Sequence, residues 1–566
     1  MIIGLNLNHD ASVSLHEENG EIVFAAAEER YTRIKNFWGF PREAFKEAVL
    51  LADSRPISKV VVGSHSIFKP SSAALLSYIL HNVSTDYFDL ANSPFPPGWF
   101  GDSTGKKSTF EKLAKFDTHA TFAGFLQEEF HKLGLQTSLE FRNHHESHAM
   151  SAIIGSGFTS CLCITFDGEG DFESGSVFSY QNGKLNCLGK IPREFSLGNL
   201  YTEVTARYGF KRVRHEGKIT GLAAHGKSNI TTNVLSAYLR HKDGSFSKDR
   251  SLGSYNELSS EVTNHDDRNF ESALIDCLAN RVNEFPDLAA SVQEYLESQI
   301  LSFVKFWKSK TGMTNLAVAG GVFANVKLNQ SLIEDTDFES VYIYPNMGDG
   351  GLAPGGVWGS LLEVGVIPDR SEGLYFGKDY EIGEGLESDQ IELIVQKLFA
   401  GAIVGIFQGR SEWGPRALCH RSILASPGIQ GISKTLNGRL NRTDFMPFAP
   451  ITSDELAEEV YDLSRRSHPD NYKNMTATVT VKARYQEMLR EVINVDGTAR
   501  PQIVHSSLKD VHKILGRFFE LSGIPALINT SFNTHEEPIV EHPESAIRLL
   551  RSGVVDLLVI GKEIIY

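Results

Sequence analysis

The sequence lacks any apolar run long enough to span a bilayer. Its opening, Met1-Ile2-Ile3-Gly4-Leu5-Asn6, has neither the basic end nor the long apolar stretch of a secretory signal, and it reads as a buried strand. Cysteine is scarce. The five residues Cys161, Cys163, Cys187, Cys277 and Cys419 are odd in number and show no zinc-ligand spacing. That excludes a disulfide framework, and Cys161 and Cys163 alternate inside an apolar run as core residues do. A reducing, cytoplasmic compartment is the expectation. Positive charge is short too, with 55 Lys and Arg against 70 Asp and Glu, a net charge of −15. Binding a phosphate backbone needs the opposite sign, so nucleic acid is not expected as the main partner.

What is present is a globular composition, 41% hydrophobic and 22% charged, over 566 residues. That length is too great for one ordinary core, and two domains or more are expected. An internal repeat stands out. Ile2 to Asn6 reads as a strand, followed by the polar turn Asn8-His9-Asp10, the run Ala11 to Leu15, an Asn19-Gly20 turn and Glu21 to Ala27. Cys161 to Phe166 begins a second copy, with the acidic turn Asp167 to Asp171, then Gly175 to Tyr180, an Asn182-Gly183 turn and Lys184 to Leu188. Asn-Gly is a strong hairpin signal because both residues tolerate positive φ. A three-stranded unit used twice, with a polar turn after its first strand, matches the duplicated α/β fold of actin, Hsp70 and sugar kinases. There the two turns face each other across a phosphate-holding cleft.

Residues about 40 to 140, between the copies, read as helical and loop-rich. They include the aromatic, proline-rich stretch Ser93 to Phe100, either an ordinary packed loop or part of an acceptor pocket. Ser291 to Lys310 has the periodicity of an amphipathic helix. Leu316 to Val318 then forms a strand, and Ala319-Gly320-Gly321-Val322-Phe323-Ala324-Asn325 turns into a helix, where glycines let a nucleotide approach backbone N–H groups. A polar stretch from Glu363 to Gln390 marks the domain boundary, giving 1–368 and 369–566. The second part reads as α/β, with strands at Ala402 to Phe407, Ala526 to Ile528 and Val554 to Ile560.

The sharpest local signal is Asn143-His144-His145-Glu146-Ser147-His148-Ala149. His144 and His148 are four apart, so on a helix they share one face and can chelate one metal ion. Three histidines in five residues favour that over a merely polar helix start. Asp349, glycine-flanked after the strand Val341 to Tyr344, is the choice for a third ligand; its plain alternative is a helix cap.

These motifs, in this order, resemble the NodU/CmcH-type O-carbamoyltransferase family, which includes nodulation-protein and cephamycin and tobramycin carbamoyltransferases. The resemblance rests also on His9-Asp10-Ala11-Ser12, on Glu28-Glu29-Arg30-x-Thr32-Arg33 and on Glu216-x-Lys218-x-x-Gly221-Leu222-Ala223. In the second half it rests on Gly414-Pro415-Arg416-Ala417-Leu418, Arg421-Ser422-Ile423-Leu424, Pro447-Phe448-Ala449-Pro450 and Asn529-Thr530-Ser531-Phe532-Asn533. It covers the whole chain. It implies an actin-like (ribonuclease H-like) N-terminal domain and a C-terminal domain with the threonylcarbamoyl-AMP synthase fold. The C-terminal domain would bind ATP, with Mg, and carbamoyl phosphate, and form carbamoyl-adenylate. The N-terminal domain would hold that intermediate with a divalent metal, iron(II) in the well-studied relative with zinc or manganese as alternatives. It would pass the carbamoyl group to a small-molecule hydroxyl, leaving AMP.

The roles implied follow the motifs. His144, His148 and Asp349 would hold the metal. His9 would be the general base, against the plainer reading of a hydrogen-bonded turn residue, and Asp10 and Asp167 would position phosphate or water. Gly320, Gly321 and Asn325 would line the adenosine side, with Lys218 near a phosphate. Arg416, Arg421 and Arg442 would supply fork-shaped cationic donors to ATP and carbamoyl phosphate, and Ser531 and Asn533 would grip the anionic substrate. The pattern departs at two cationic positions, which are Leu440 and Met446 here; Arg439, Lys434 and His420 are the cations placed to replace them. The region 66–140 is expected to select the acceptor, and a homodimer is left open. A tRNA threonylcarbamoyl-transfer enzyme and an actin-like sugar kinase are the competing readings. The net charge disfavours the first, and the second explains neither the histidine motif nor the second domain.

Overall fold

A computed structural model describes residues 1–65, 118–262, 270–282, 284–383, 385–442 and 446–566. The stretch Ser93 to Phe100 and most of the expected acceptor-selecting region lie outside the described residues. Two five-stranded sheets build the first part of the chain. One contains β1 (Ile2–Asn6), β2 (Ser12–His16), β3 (Ile22–Ala27), β4 (Lys59–Val62) and β5 (Ser138–Phe141), in the order β3-β2-β1-β4-β5. The other contains β6 (Ser160–Gly170), β7 (Glu173–Gln181), β8 (Lys184–Pro192), β9 (Asn315–Ala319) and β10 (Ser340–Ile343), in the order β8-β7-β6-β9-β10. Both read 3-2-1-4-5. In each, the first three strands pair antiparallel and the last two join parallel. The repeat inferred from sequence is thus a repeat of topology.

The two copies differ in their turns. Asn182 and Gly183 take φ of 46° and 81°, as a two-residue hairpin needs, whereas in the first copy only Gly20 does, at 92°. The acidic turn expected at Asp167 to Asp171 is shorter than that. β6 runs on to Gly170 with its register broken after Phe166, and the chain reverses at Asp171 and Phe172, which have positive φ. The irregularity sends the Asp167 side chain off the ladder and toward the cleft.

Two helices pack together between the sheets. These are α3 (His144–Ser156) and α7 (Leu352–Glu363); α1 (Glu28–Thr32), α2 (Arg42–Leu51), α4 (Glu216–Ala223), α5 (Asp287–Thr311) and α6 (Val326–Asp335) surround them. Asn143 caps α3, its side chain accepting the Glu146 N–H at 3.0 Å, a bond worth about 1 kcal/mol. A Cβ at Gly355 would lie 1.9 Å from the Ser147 carbonyl oxygen, so only glycine lets α7 approach α3 this closely. The approach fixes the start of α7, and Asp349 just before it, against the histidine face of α3.

A third, seven-stranded mixed sheet completes the chain. Its strands are β11 (Val404–Phe407), β12 (Arg421–Ala425), β13 (Ala449–Ser453), β14 (Gln502–Val504), β15 (Leu527–Ser531), β16 (Leu557–Ile560) and β17 (Glu563–Ile565), in the order β14-β13-β15-β12-β11-β16-β17. The whole is mixed α/β. No helix of the described residues is long and apolar enough to cross a membrane.

Candidate active site

His144 and His148 project from one face of α3 and are fully buried. His148 Nε2 lies 3.0 Å from Asp167 Oδ2 and 3.6 Å from Asp349 Oδ1. His144 Nε2 lies 3.3 Å from Asp167 Oδ2 and 3.7 Å from Asp349 Oδ1. Donors around a tetrahedral ion with 2.0–2.1 Å bonds sit about 3.3 Å apart, so the four side chains form a cage of the right size. All four ligand atoms lie within 4.8 Å of one another. Asp349 Oδ1 is buried and has no hydrogen-bond partner, an uncompensated acceptor that a cation would satisfy. The donor set, two imidazoles and two carboxylates, suits iron(II), zinc or manganese. A second group of metal-capable side chains among the described residues, Asp454, Glu455 and His512, is partly exposed.

Protonation follows the same geometry. Burial alone would strip His148 of its proton, but Asp167 and Asp349 outweigh burial and hold it up at about 9. Burial pushes the Asp167 carboxyl up, and its bonds from His144 and His148 reverse that and keep it well below the usual carboxylate range. His145, the third histidine of the motif, points away. Its Nδ1 lies 2.9 Å from Thr165 Oγ1, and burial with its two histidine neighbours keeps it neutral. Asp167, expected at its turn to position phosphate or water, lies within reach of the three expected ligands, where the β6 register breaks.

His9 sits at the rim of the cage, its Nε2 3.5 Å from Asp349 Oδ2 and its Nδ1 3.0 Å from Asp10 Oδ2. Asn6 fixes this turn by donating to the His9 and Asp10 carbonyls, and Asn36 donates to Asp10 Oδ1 at 2.7 Å. Asp10 itself has a φ of 57°. Burial works against a charged His9, and Asp349 and Asp10 outweigh it, raising it to about 10 while the carboxylates carry their full charge.

Gly320 and Gly321 have a more local reason than a nucleotide. Gly320 has a φ of 106°, and a Cβ there would meet the Phe166 carbonyl oxygen at 2.1 Å; one at Gly321 would meet Asp167 Oδ1 at 2.9 Å. They let the turn after β9 close on the His144/His148/Asp167/Asp349 cage. Asn325 is the N-cap of α6 and exchanges two amide bonds with Gln293, at 2.8 and 3.1 Å, so its side chain is committed to the fold rather than open to a ligand. The Lys218 ammonium lies 5.3 Å over the Phe210 ring.

A cavity of about 570 Å³ joins the two parts of the chain. Gly217 and Gly221 of α4, Gln293 and Glu297 of α5, and Ala324 wall one side; Arg416, Met446 and Arg500 wall the other. Burial draws Arg416 down to about 10, and Arg500 is drawn well below the usual guanidinium range by burial together with Arg416 and Arg442. Arg416 and Arg500 line the cavity with Lys327, together with the acidic Glu294, Glu297 and Asp496. Arg442 also donates to Thr530 Oγ1 at 3.2 Å.

The remaining expected residues divide. Arg421 is not exposed, donates to the carbonyls of Gln408, Gly409 and His420, and lies 3.7 Å over the Phe407 ring. It holds its own loop, which corrects its expected place as a phosphate contact. Ser531 ends β15 opposite Ser422, and Asn533 donates to the Thr534 and Glu537 carbonyls while its Oδ1 is buried without a partner. None of the three cations placed to replace Leu440 and Met446 is among the cavity's wall residues. Arg439 pairs with Asp556 at 2.8 Å, Lys434 is exposed on the helix Ile432–Arg439, and His420 stacks on Tyr375 with its Nδ1 2.6 Å from the Arg410 carbonyl oxygen. Arg500, which no local motif marks, lines the cavity beside Arg416 and Lys327. Burial pulls the Lys35 ammonium down, with Glu29 and Glu536 supporting its charge and Arg442 and Arg214 opposing it.

The duplicated sheets thus hold a buried two-histidine, two-aspartate cage, and an arginine-walled cavity lies between the two parts of the chain. Family models match both parts. Carbamoyltransferase N-terminus matches residues 1–357 and Carbamoyltransferase C-terminus matches residues 395–566. The chain belongs to the carbamoyltransferase family and is a transferase. Nodulation protein NolNO of Sinorhizobium fredii is 28% identical over 584 residues, 98% of this chain and 79% of that protein. Nodulation protein NolO of Bradyrhizobium diazoefficiens is 32% identical over 446 residues, 74% of this chain and 78% of that one. An uncharacterized protein of Methanocaldococcus jannaschii, MJ1051, is 28% identical over 100% of this chain and 99% of its own. Among solved structures, HypF of T. kodakarensis aligns with 64% of this chain and 48% of its own at 10% identity, with a TM-score of 0.33.

Proposed function

We propose that this carbamoyltransferase activates its carbamoyl group with ATP at the arginine cavity and delivers it to a hydroxyl of a small-molecule acceptor at the His144/His148/Asp167/Asp349 cage. The observation that carries the reading is the cavity itself, which has α4 and α5 of the first part on one side and Arg416 and Arg500 of the second on the other. In this reading residues 1–368 form the transfer domain and 369–566 the activating domain, with the fold of a threonylcarbamoyl-AMP synthase. Water hydrolyses carbamoyl phosphate to carbamate and orthophosphate. A carbamate oxygen then attacks the α-phosphorus of ATP and expels pyrophosphate. Arg416, Arg442 and Arg500 bind and orient these anions, in a wall whose burial strengthens each bond they make. Carbamate alone is a poor electrophile; joined to AMP it carries a good leaving group.

At the cage, His144, His148, Asp167 and Asp349 would hold a divalent cation, iron(II), zinc or manganese. Bound there, the ion would neutralise charge on the departing AMP phosphate. His9 takes the acceptor's hydroxyl proton, and Asp10, fixed by Asn36, orients its Nδ1. A cation held by Asp349 would weaken the field that keeps His9's proton, as a base requires.

Incubation with ATP, Mg and carbamoyl phosphate, followed by phosphorus NMR, tests this reading. It predicts orthophosphate, pyrophosphate and carbamoyl-adenylate, with AMP following as the adenylate loses its carbamoyl group. ADP in place of these adenylate products and pyrophosphate contradicts it and points to a kinase.

A further inference from the structure

The short helix α1 belongs to the first part of the chain, yet its two arginines bind the second. Arg30, only 4% exposed, donates from one nitrogen to the carbonyls of Gly414 and Glu412, at 3.0 and 3.3 Å. These residues open the loop that carries Arg416. The same loop is held from within by Glu412, whose Oε1 accepts the N–H groups of Leu418, His420 and Arg421 at 2.7 to 3.0 Å. Arg33, the left-handed cap of α1, donates to the carbonyls of Ile539 and Pro538, at 2.7 and 2.6 Å, with Glu537 at 3.7 Å. Those residues close the loop that starts at Ser531 and Asn533, and Asn533 itself donates to the Glu537 carbonyl. Lys211 and His215 hold Glu536 of the same loop, at 3.0 and 3.1 Å.

The other end of α1 reaches the transfer site. The Glu28 N–H donates to the Ala11 carbonyl, and Glu29 accepts the N–H of Asn36, whose side chain holds Asp10. The five-residue helix and its cap therefore brace the loop of Arg416, the loop that follows β15 and the turn of His9.

We propose that Arg30 and Arg33 are positioning residues of the anion site, setting the loops of Arg416 and of Ser531 and Asn533 in their binding geometry from the opposite half of the chain. This rests on the reading that anions bind at Arg416, Arg442 and Arg500. A guanidinium satisfies two carbonyls with one rigid fork; without it, two carbonyls lose their donor and the loop relaxes away from the position that binds. Small displacements of a binding loop cost large factors in affinity. An ammonium at position 33 can keep only part of that pairing.

The test uses the full chain and two readouts. Inorganic pyrophosphate is titrated by calorimetry, and KM for carbamoyl phosphate is measured from pyrophosphate release. In Arg33→Ala the KM rises by about tenfold or more and pyrophosphate binds more weakly by a similar factor, while kcat changes by less than about threefold. Arg33→Lys and Arg30→Lys fall between. Metal content and melting behaviour, read on the same samples, establish that each variant is folded; the lysine variants carry the comparison should Arg33→Ala not fold. Folded variants with wild-type KM and wild-type pyrophosphate affinity overturn the proposal. So does a fall in kcat at unchanged KM, which is what simple loss of folded protein gives. A wild type that binds neither anion sinks the reading of the site, a different result, and takes the positioning role with it.

Discussion

Asp167 is where sequence reasoning and geometry part at the level of a single residue. The i, i+4 histidines and the glycine-flanked Asp349 were legible, because helix periodicity and turn chemistry are local. Asp167 was legible as an acidic residue at a repeated turn, but its direction depends on the register break in β6, which no local spacing encodes. Asp167→Asn keeps the shape and removes the charge. We predict that Asp167→Asn and His148→Ala each lower metal affinity by about tenfold or more, with content read by plasma mass spectrometry. Full metal content in Asp167→Asn limits the cage to three ligands. Glu28 gives a second prediction. It is 1% exposed, accepts the Glu43 and Ala44 N–H groups at 3.0 and 2.8 Å, and burial lifts its carboxyl from 4.5 to about 7. A carboxyl raised in the folded state binds more protons folded than unfolded, so it costs stability as pH rises from 4.5 to about 7, by about 3 kcal/mol. The melting temperature of the wild type should fall relative to Glu28→Gln across that window. Parallel profiles contradict the assignment.

Among the elements, the strands of the repeat and the long helix α5 were readable, since alternation and the 3.6-residue period are strong signals in Ile2 to Asn6 and Ser291 to Lys310. The anion site was less so. Arg416 carried a motif around it, but Arg421, inside an equally specific motif, turned out to tie down its own loop, and Arg500 carried no motif at all. Which arginine faces a cavity is decided by strand pairing over long sequence distances, as when Asn529 of β15 donates to the Ala417 carbonyl and to Gln502. The β6 strand offers a test of how tightly elements set the cage. A Cβ at Gly170 would lie 2.2 Å from the His144 ring. Gly170→Ala should therefore displace His144, lower metal affinity and lower the melting temperature together. An alanine variant with unchanged metal content and melting behaviour shows that β6 and α3 have slack that the packing does not suggest.

At the scale of the molecule, composition excluded a membrane span and weighed against nucleic acid, and the order of motifs across the whole chain identified the family. What composition and motif order left out is how the two parts meet. Arg30, Arg33 and Arg410 cross between them onto backbone carbonyls, and a cavity of about 570 Å³ forms where they face. The central claim is that this cavity makes an activated carbamoyl group. The most direct measurement is mass spectrometry of the full chain incubated with ATP, Mg and carbamoyl phosphate, beside Arg416→Ala. The account predicts carbamoyl-adenylate in the wild type and at least about tenfold less in the variant. No carbamoyl-adenylate in the wild type, or equal amounts in the two, contradicts it.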